Sequence, residues 1–213
     1  MKSYLFFIFF SISVCVFGQE TIDMEALKKR TFGHLNKDMI YDGILINASV
    51  LPIDLDDFKE DAQVETNYDT WIKMYYKIYS AHLDQPKIPT AEEIYEKAEA
   101  YNKKGVTSLG VAHFRYSTIS ADAVNRGLLR VTNDVVYETA SFSRESPYDV
   151  KECITFAPFS WRHGDMDDFT FMLSDEFIFD NTGSKISSVS VDFADGSGFR
   201  EIRINEPVNI AYS

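Results

Sequence analysis

The spacing of hydrophobic positions changes once along this chain, near Gly105. Before that point it is helical. Between Asn67 and Leu83, Trp71, Tyr75, Ile78 and His82 fall at i, i+4, i+7 and i+11; Ile72, Tyr76 and Tyr79 widen the stripe. Lys73, Lys77, Ser80 and Asp84 make the opposite face. The pattern predicts an amphipathic helix with an aromatic seam, and rings at that spacing belong in a core. A second helix carries its own punctuation. Thr90 is its N-cap and Glu93 completes a capping box. Glu92 and Glu93 sit at the positive end of the dipole, with Lys103 and Lys104 at the negative end. Ile94, Tyr95, Ala98 and Tyr101 give its buried stripe, and Gly105 supplies the left-handed residue after it. Pro86 and Pro89 mark the connector between the two helices. Upstream, Thr21 to Arg30 reads as a short helix, and Ile40 to Ile46 as an apolar run broken by an Asp42-Gly43 turn. Asp54, Asp56, Asp57, Glu60 and Asp61 read as a solvated acidic face.

After Gly105 the period falls to two. Ala112, Phe114 and Tyr116 alternate, as do Val131, Val135 and Tyr137 with Asn133 interrupting them. Ile154, Phe156 and Pro158 follow, then Phe169, Phe171 and Leu173, then Phe177 and Phe179. Val189, Val191 and Phe193 alternate against Ser188, Ser190 and Asp192 before Ile202, Ile204, Val208, Ile210 and Tyr212 close the chain. Short strands separated by turn signals predict a sandwich. The expected fold class is therefore α+β: a mainly helical region over residues 19–105, then an antiparallel β-sandwich over residues 106–213.

Composition adds the compartment. Lys2 precedes an almost wholly apolar run from Tyr4 to Val16, then Gly18-Gln19 and the first acid at Glu20. That is the order of a secretory signal peptide, with cleavage expected after Gly18. The run is shorter than the roughly 20 residues a membrane-spanning helix needs, so no integral membrane segment is expected after cleavage and the protein is expected to be secreted or held at the cell surface. The formal net charge is −12, and loss of Lys2 makes it one unit more negative. Such a surface repels phosphate, which argues against nucleic acid as a partner and leaves an extracellular protein or glycan. Cleavage also removes Cys15 and leaves Cys153 alone in a strand-like run, so no intrachain disulfide is expected and the residue reads as a small buried hydrophobe.

Catalytic signatures are missing from the sequence. It has no G-x-S-x-G elbow, no phosphate-binding glycine loop and no H-E-x-x-H. His34, His82, His113 and His163 are scattered singly, without the close spacing of zinc ligands. Asp165, Asp167 and Asp168 form a loop that lacks the glycine and closing glutamate of an EF-hand. A pair of carboxylates converging in space for glycoside hydrolysis is compatible with an acidic chain, and Trp71, Trp161 and the tyrosines can stack on sugar rings. Asn47-Ala48-Ser49 matches a glycosylation sequon.

The most specific stretch is Val189-Ser190-Val191-Asp192-Phe193-Ala194-Asp195-Gly196-Ser197-Gly198-Phe199. A strand enters an Asp-Gly turn and a second strand leaves it. Asp192, Asp195, Gly196 and Gly198 form its turn; the two aspartates cap the backbone or, alternatively, share a calcium ion. Val191 to Gly196 resembles the strand-and-turn signature of polycystic-kidney-disease-type (PKD) repeats, which are immunoglobulin-like sandwiches of bacterial secreted and surface proteins. This chain has Val191 where the family has an aromatic and Ala194 where it has a glycine. The resemblance covers residues 186–213 and implies a module that is incomplete at Ser213, with Tyr212 as the family's later tyrosine. It implies a non-catalytic exported module for protein or glycan contact or domain spacing. The alternatives are the leading accessory part of a secreted hydrolase whose catalytic domain lies beyond Ser213, and a self-contained glycan-active enzyme using paired carboxylates.

Overall fold

The computed structural model describes residues 23–59, 66–140, 145–160, 168–186 and 188–212. The predicted signal segment 1–18 lies outside these, as do Glu60, Asp61, Trp161, His163, Asp165 and Asp167. The described residues make an α+β fold. Its helices are α1 (Met24–Phe32), α2 (Tyr68–Ser80) and α3 (Ala91–Asn102). Its strands are β1 (Val106–Ile119), β2 (Leu129–Thr132), β3 (Val135–Glu138), β4 (Tyr148–Phe159), β5 (Asp168–Met172), β6 (Ile178–Asp180), β7 (Ser188–Asp192), β8 (Phe199–Arg203) and β9 (Pro207–Ala211).

Local signals account for the helix boundaries. Asn67 caps α2 by accepting from Thr70 N at 2.9 Å. Thr90 and Glu93 form the full capping box of α3, and Gly105 takes up the left-handed backbone after it at φ +83°. The buried stripe of α3 differs from expectation by a small rotation: Ile94 and Ala98 are buried, but Asn102 replaces Tyr95, which faces solvent. Asn102 can be buried because its amide donates to Phe159 O at 2.9 Å.

β1 is the spine of the sheet. β4 pairs with it antiparallel from Ser108↔Phe159 to Ile119↔Tyr148. β5 and β6 lie on its other side, and both pair with it in parallel. β9 then pairs antiparallel with β5. The expected all-antiparallel arrangement therefore becomes a mixed sheet. Alternation of side chains reports that a residue is in a strand but not which way its neighbour runs, so the sequence pattern is the same in both cases. Asn133 does not interrupt one strand. Asn133 and Asp134, both at positive φ, make the two-residue turn of the β2–β3 hairpin.

Three cores result. Ala112, Phe114 and Tyr116 face α2 and α3, and pack with Trp71, Tyr75, Ile78, Ile94 and Phe159. Leu109 and Val111 face the other way and meet Phe171, Val191, Phe193 and Ile202, so the β7–β8 hairpin covers that part of the sheet. Leu35, Ile40 and Leu45 of the segment after α1 pack on Leu129, Val136 and Tyr148. Among the described residues no helix is long and apolar enough to cross a membrane.

Candidate binding cleft

A concave feature lies between α1 and the segment that follows α2. Gly33 ends α1, and Asn36 then caps a short turn of 3-10 helix at Lys37–Met39, which brings Lys37 back toward the helix. On the opposite wall the chain leaving α2 is clamped: Leu45 N donates to Ala81 O and Leu83 N donates to Gly43 O, each at 2.9 Å. This holds Tyr79 in the wall and leaves Asp84 and Gln85 at the lip. The cleft has a volume of about 670 Å³ and is lined by Lys28, Lys29, Lys37, Tyr79, Asp84 and Gln85, among others. A second cleft of about 460 Å³ shares Lys37, Asp84 and Gln85 and continues past His82 to Lys87 and Ile88.

The charges in the first cleft are arranged in pairs. Lys28 is the one buried residue of α1; its Nζ lies 2.7 Å from Glu25 Oε1 and donates to Ser80 O at 3.2 Å. Lys37 pairs with Asp84 across the mouth. In the adjoining wall, burial depresses the basicity of His82 below its ordinary value of 6.5, while Nδ1 lies 3.0 Å from Ile78 O. A neutral imidazole donates that hydrogen bond at neutral pH. Sequence patterning missed this site because its residues come from separated segments and none belongs to a motif. The adjacent pair Lys28-Lys29 in a strongly acidic chain was the available signal.

A second polar cluster lies elsewhere, on the open half of the β1–β4 ribbon. Beyond Val111 the same face of β1 carries His113 and Arg115. His113 Nε2 lies 2.6 Å from Glu152 Oε1 on β4, and its Nδ1 lies 2.6 Å from Asp180 Oδ2 on β6, off the line of a hydrogen bond. Arg115 Nε donates to the second oxygen of Glu152 at 2.7 Å. Hydrogen bonds from His113 and Arg115 hold the Glu152 carboxyl below its ordinary range. Asn181 extends the network: its side-chain amide accepts from Arg115 N at 2.6 Å and donates to Arg115 O at 2.9 Å, taking the place of a strand backbone. Both ring nitrogens of His113 face carboxylates, so the group ties three strands together and presents no open base.

Asp192 closes β7, and Asp195, Gly196 and Gly198 lie between it and β8. Asp192 Oδ1 accepts from Ala194 N at 2.9 Å, and Asp195 Oδ1 accepts from Ser197 N at 3.0 Å. The other oxygen of Asp195 meets Arg200 Nη2 at 2.6 Å. The Ser197 hydrogen bond, with Arg200 adding to it, lowers the Asp195 pKa. Gly196 and Gly198 take positive φ, and so does Ala194 at +58°. Both aspartates therefore act as turn caps here, and a calcium ion at Asp195 would have to displace the guanidinium. Among the described residues no group of three or more His, Cys, Asp or Glu side chains is arranged to hold a metal ion.

Other sequence candidates are absorbed by the fold. Trp71 is fully buried and stacks on Tyr75 at 5.2 Å, so it offers no sugar platform. Cys153 is buried beside Met74, and burial pushes its thiol up to about 12. Asn47 Oδ1 accepts from Ile119 N at 2.6 Å. Asp168 opens β5, and Asp56 pairs with Lys151 of β4. No family model matches the chain, and no curated protein or solved structure matches it.

Proposed function

We propose that this protein is a non-catalytic exported module that holds a glycan in the cleft between α1 and the Asp84-Gln85 lip. The observation that carries the reading is the composition of that cleft. A sugar ring presents hydroxyls that both donate and accept, together with an apolar C–H face. The cleft offers ammonium donors, carboxylate and amide acceptors and the Tyr79 ring on one wall. Its volume of about 670 Å³ lies in the usual range for small-ligand sites, roughly 300–1,000 Å³. Binding is favoured over turnover because, among the described residues, the two polar groups most like catalytic ones are committed elsewhere: His113 between two carboxylates, Cys153 in the core.

Export rests on the signal-like start of the chain. In the same reading, the β7–β8 hairpin over Leu109 and Val111 is the second layer of an immunoglobulin-like sandwich, the part that resembles PKD repeats. A crystal structure with the hairpin packed elsewhere would remove that part alone.

The test is calorimetric titration of the purified protein with a panel of neutral and acidic oligosaccharides. Binding should appear for at least one member and be lost in Tyr79→Ala and in Gln85→Ala, with melting temperatures within a few degrees of wild type. Undiminished binding in both variants moves the site away from the cleft, and hydrolysis of any panel member overturns the non-catalytic reading.

A further inference from the structure

Resting on the glycan reading of the same cleft, we infer that its ligand is an acidic sugar, a pyranose bearing a carboxylate, held by Lys28 with Lys29 and Lys37 around it. The chain has 33 acidic and only 21 basic residues, yet in this one cleft the two are equal in number, Lys28, Lys29 and Lys37 against Asp23, Glu25 and Asp84. Lys28 is the informative one. Its side chain is 9% exposed, so the ammonium is held in place by the surrounding wall. An ammonium has three N–H groups. Two are used, by Glu25 and by Ser80 O, which leaves one for an acceptor in the cleft.

The protein's own carboxylates show what these lysines donate to. Glu25, 78% exposed, sits on Lys28, and Asp84, 72% exposed, sits on Lys37. Pairs with so exposed a partner are weak, because water and salt compete for the carboxylate. Each carboxylate can swing into solvent at little cost while its lysine stays. A ligand carboxylate entering the cleft then replaces Glu25 on Lys28 in a drier setting, where the same pair is stronger. The negative charge of the whole chain does not prevent this. Its field is screened over about 8 Å at physiological salt, whereas the lysines act at contact.

The probe pair is trigalacturonate and its methyl ester, which keeps the sugar and removes the charge, titrated into the purified protein by calorimetry. Trigalacturonate should bind about tenfold more tightly than the ester, the ratio expected for one retained charge-assisted hydrogen bond, and the preference should shrink as sodium chloride is raised. Lys28→Met, which keeps the packed stem, should abolish the preference. Glu25→Gln should strengthen trigalacturonate binding several-fold, since it removes the internal competitor; a merely structural role for the Lys28–Glu25 pair gives no such gain. Equal binding of acid and ester overturns the acidic-sugar inference and leaves the glycan reading standing. Binding only of a sulfated trisaccharide overturns the carboxylate assignment. No binding by these probes or by the wider panel overturns both. Should Lys28→Met fail to fold, the Glu25→Gln gain alone decides.

Discussion

The two faces of β1 are built from one alternating sequence and have opposite fates. On one face Ala112, Phe114 and Tyr116 lie under α2 and α3 in a continuous aromatic core, where Trp71 meets Phe159 at 4.7 Å and Tyr75 meets Phe179 at 5.0 Å. On the other, Leu109 and Val111 are buried under the β7–β8 hairpin, but two residues further along the face turns to His113 and Arg115 with their carboxylate partners. The difference lies in the cover. β1 has 14 residues and each hairpin strand five, so at about 3.3 Å per residue the hairpin spans about a third of β1. Where cover ends, paired charges take over from apolar side chains. One face carries stability and the other carries registry between strands.

The largest expected effect lies on the helical face. Trp71→Ala should cost about 3–5 kcal/mol, the range for deleting a large buried aromatic, in urea melts read by circular dichroism. The Trp71 indole N–H finds no partner among the described residues, so Trp71→Phe removes an unsatisfied donor along with some packing and should cost clearly less. Arg115→Ala on the open face should shift the midpoint far less than Trp71→Ala, since its side chain is 38% exposed and its Glu152 partner 43%. Equal losses at Trp71 and Arg115 would erase the distinction between the faces.

Gly110 tests how tightly the helical face is closed. A Cβ built there would lie 2.0 Å from Phe159 Cζ, in a ring that is itself fully buried. Gly110→Ala should therefore cost about 1–3 kcal/mol, the usual penalty for overpacking. Gly110→Ala in a Phe159→Leu background should recover part of that loss. No recovery would mean that the penalty is not steric.

These positions also mark what the sequence could and could not disclose. Trp71, Tyr75 and Ile78 were readable as a core seam because a helix repeats its contacts every three to four residues, and the Thr90–Glu93 box was readable because capping is local. Asp192 and Asp195 were readable as turn caps for the same reason. The parallel pairing of β5 and β6 was not, because strand direction leaves no trace in alternation. Nor was the candidate cleft: Lys28, Lys37 and Asp84 line it together only through the packing of α1, the Leu45–Ala81 clamp and the end of α2, and no spacing encodes that meeting. The role of Gly110 was equally hidden, since a glycine inside a strand pattern reads the same whether it relieves a ring or merely tolerates a bend.

Acid stability separates another pair of regions. His82 lies in the cleft wall with its basicity depressed by burial below 6.5. A base whose folded pKa is lowered contributes stability above its unfolded pKa, and that stability is lost as pH falls through the depressed folded value. Wild type should therefore begin to lose stability below about pH 6.5, and His82→Asn, which keeps a donor toward Ile78 O, should lack that part of the loss. The lowered carboxyls Asp56, Glu152 and Asp195 act later, below their ordinary values near 4, and both proteins should share that second decline. Parallel pH profiles above pH 5 for wild type and His82→Asn would rule the imidazole out as the source.

The smallest effect is the one that bears on the hairpin. Ala194 stands where the PKD resemblance puts a glycine, and its φ of +58° is a left-handed conformation that costs an L-residue roughly 1–2 kcal/mol. Glycine adopts it freely but gives up more chain entropy on folding, about 0.5–1 kcal/mol relative to alanine. The two terms oppose, and the steric one is larger. Ala194→Gly should therefore stabilise the protein by about 0.5 kcal/mol, while Gly196→Ala, at φ +82° with open space around it, should destabilise it purely through backbone strain. The sign difference between two turn positions on either side of Asp195 is the sharp outcome, because nothing packs against Gly196 to confuse it. If Ala194→Gly lowers the melting temperature, the turn does not need a glycine there, and the strand-and-turn resemblance loses its main physical support.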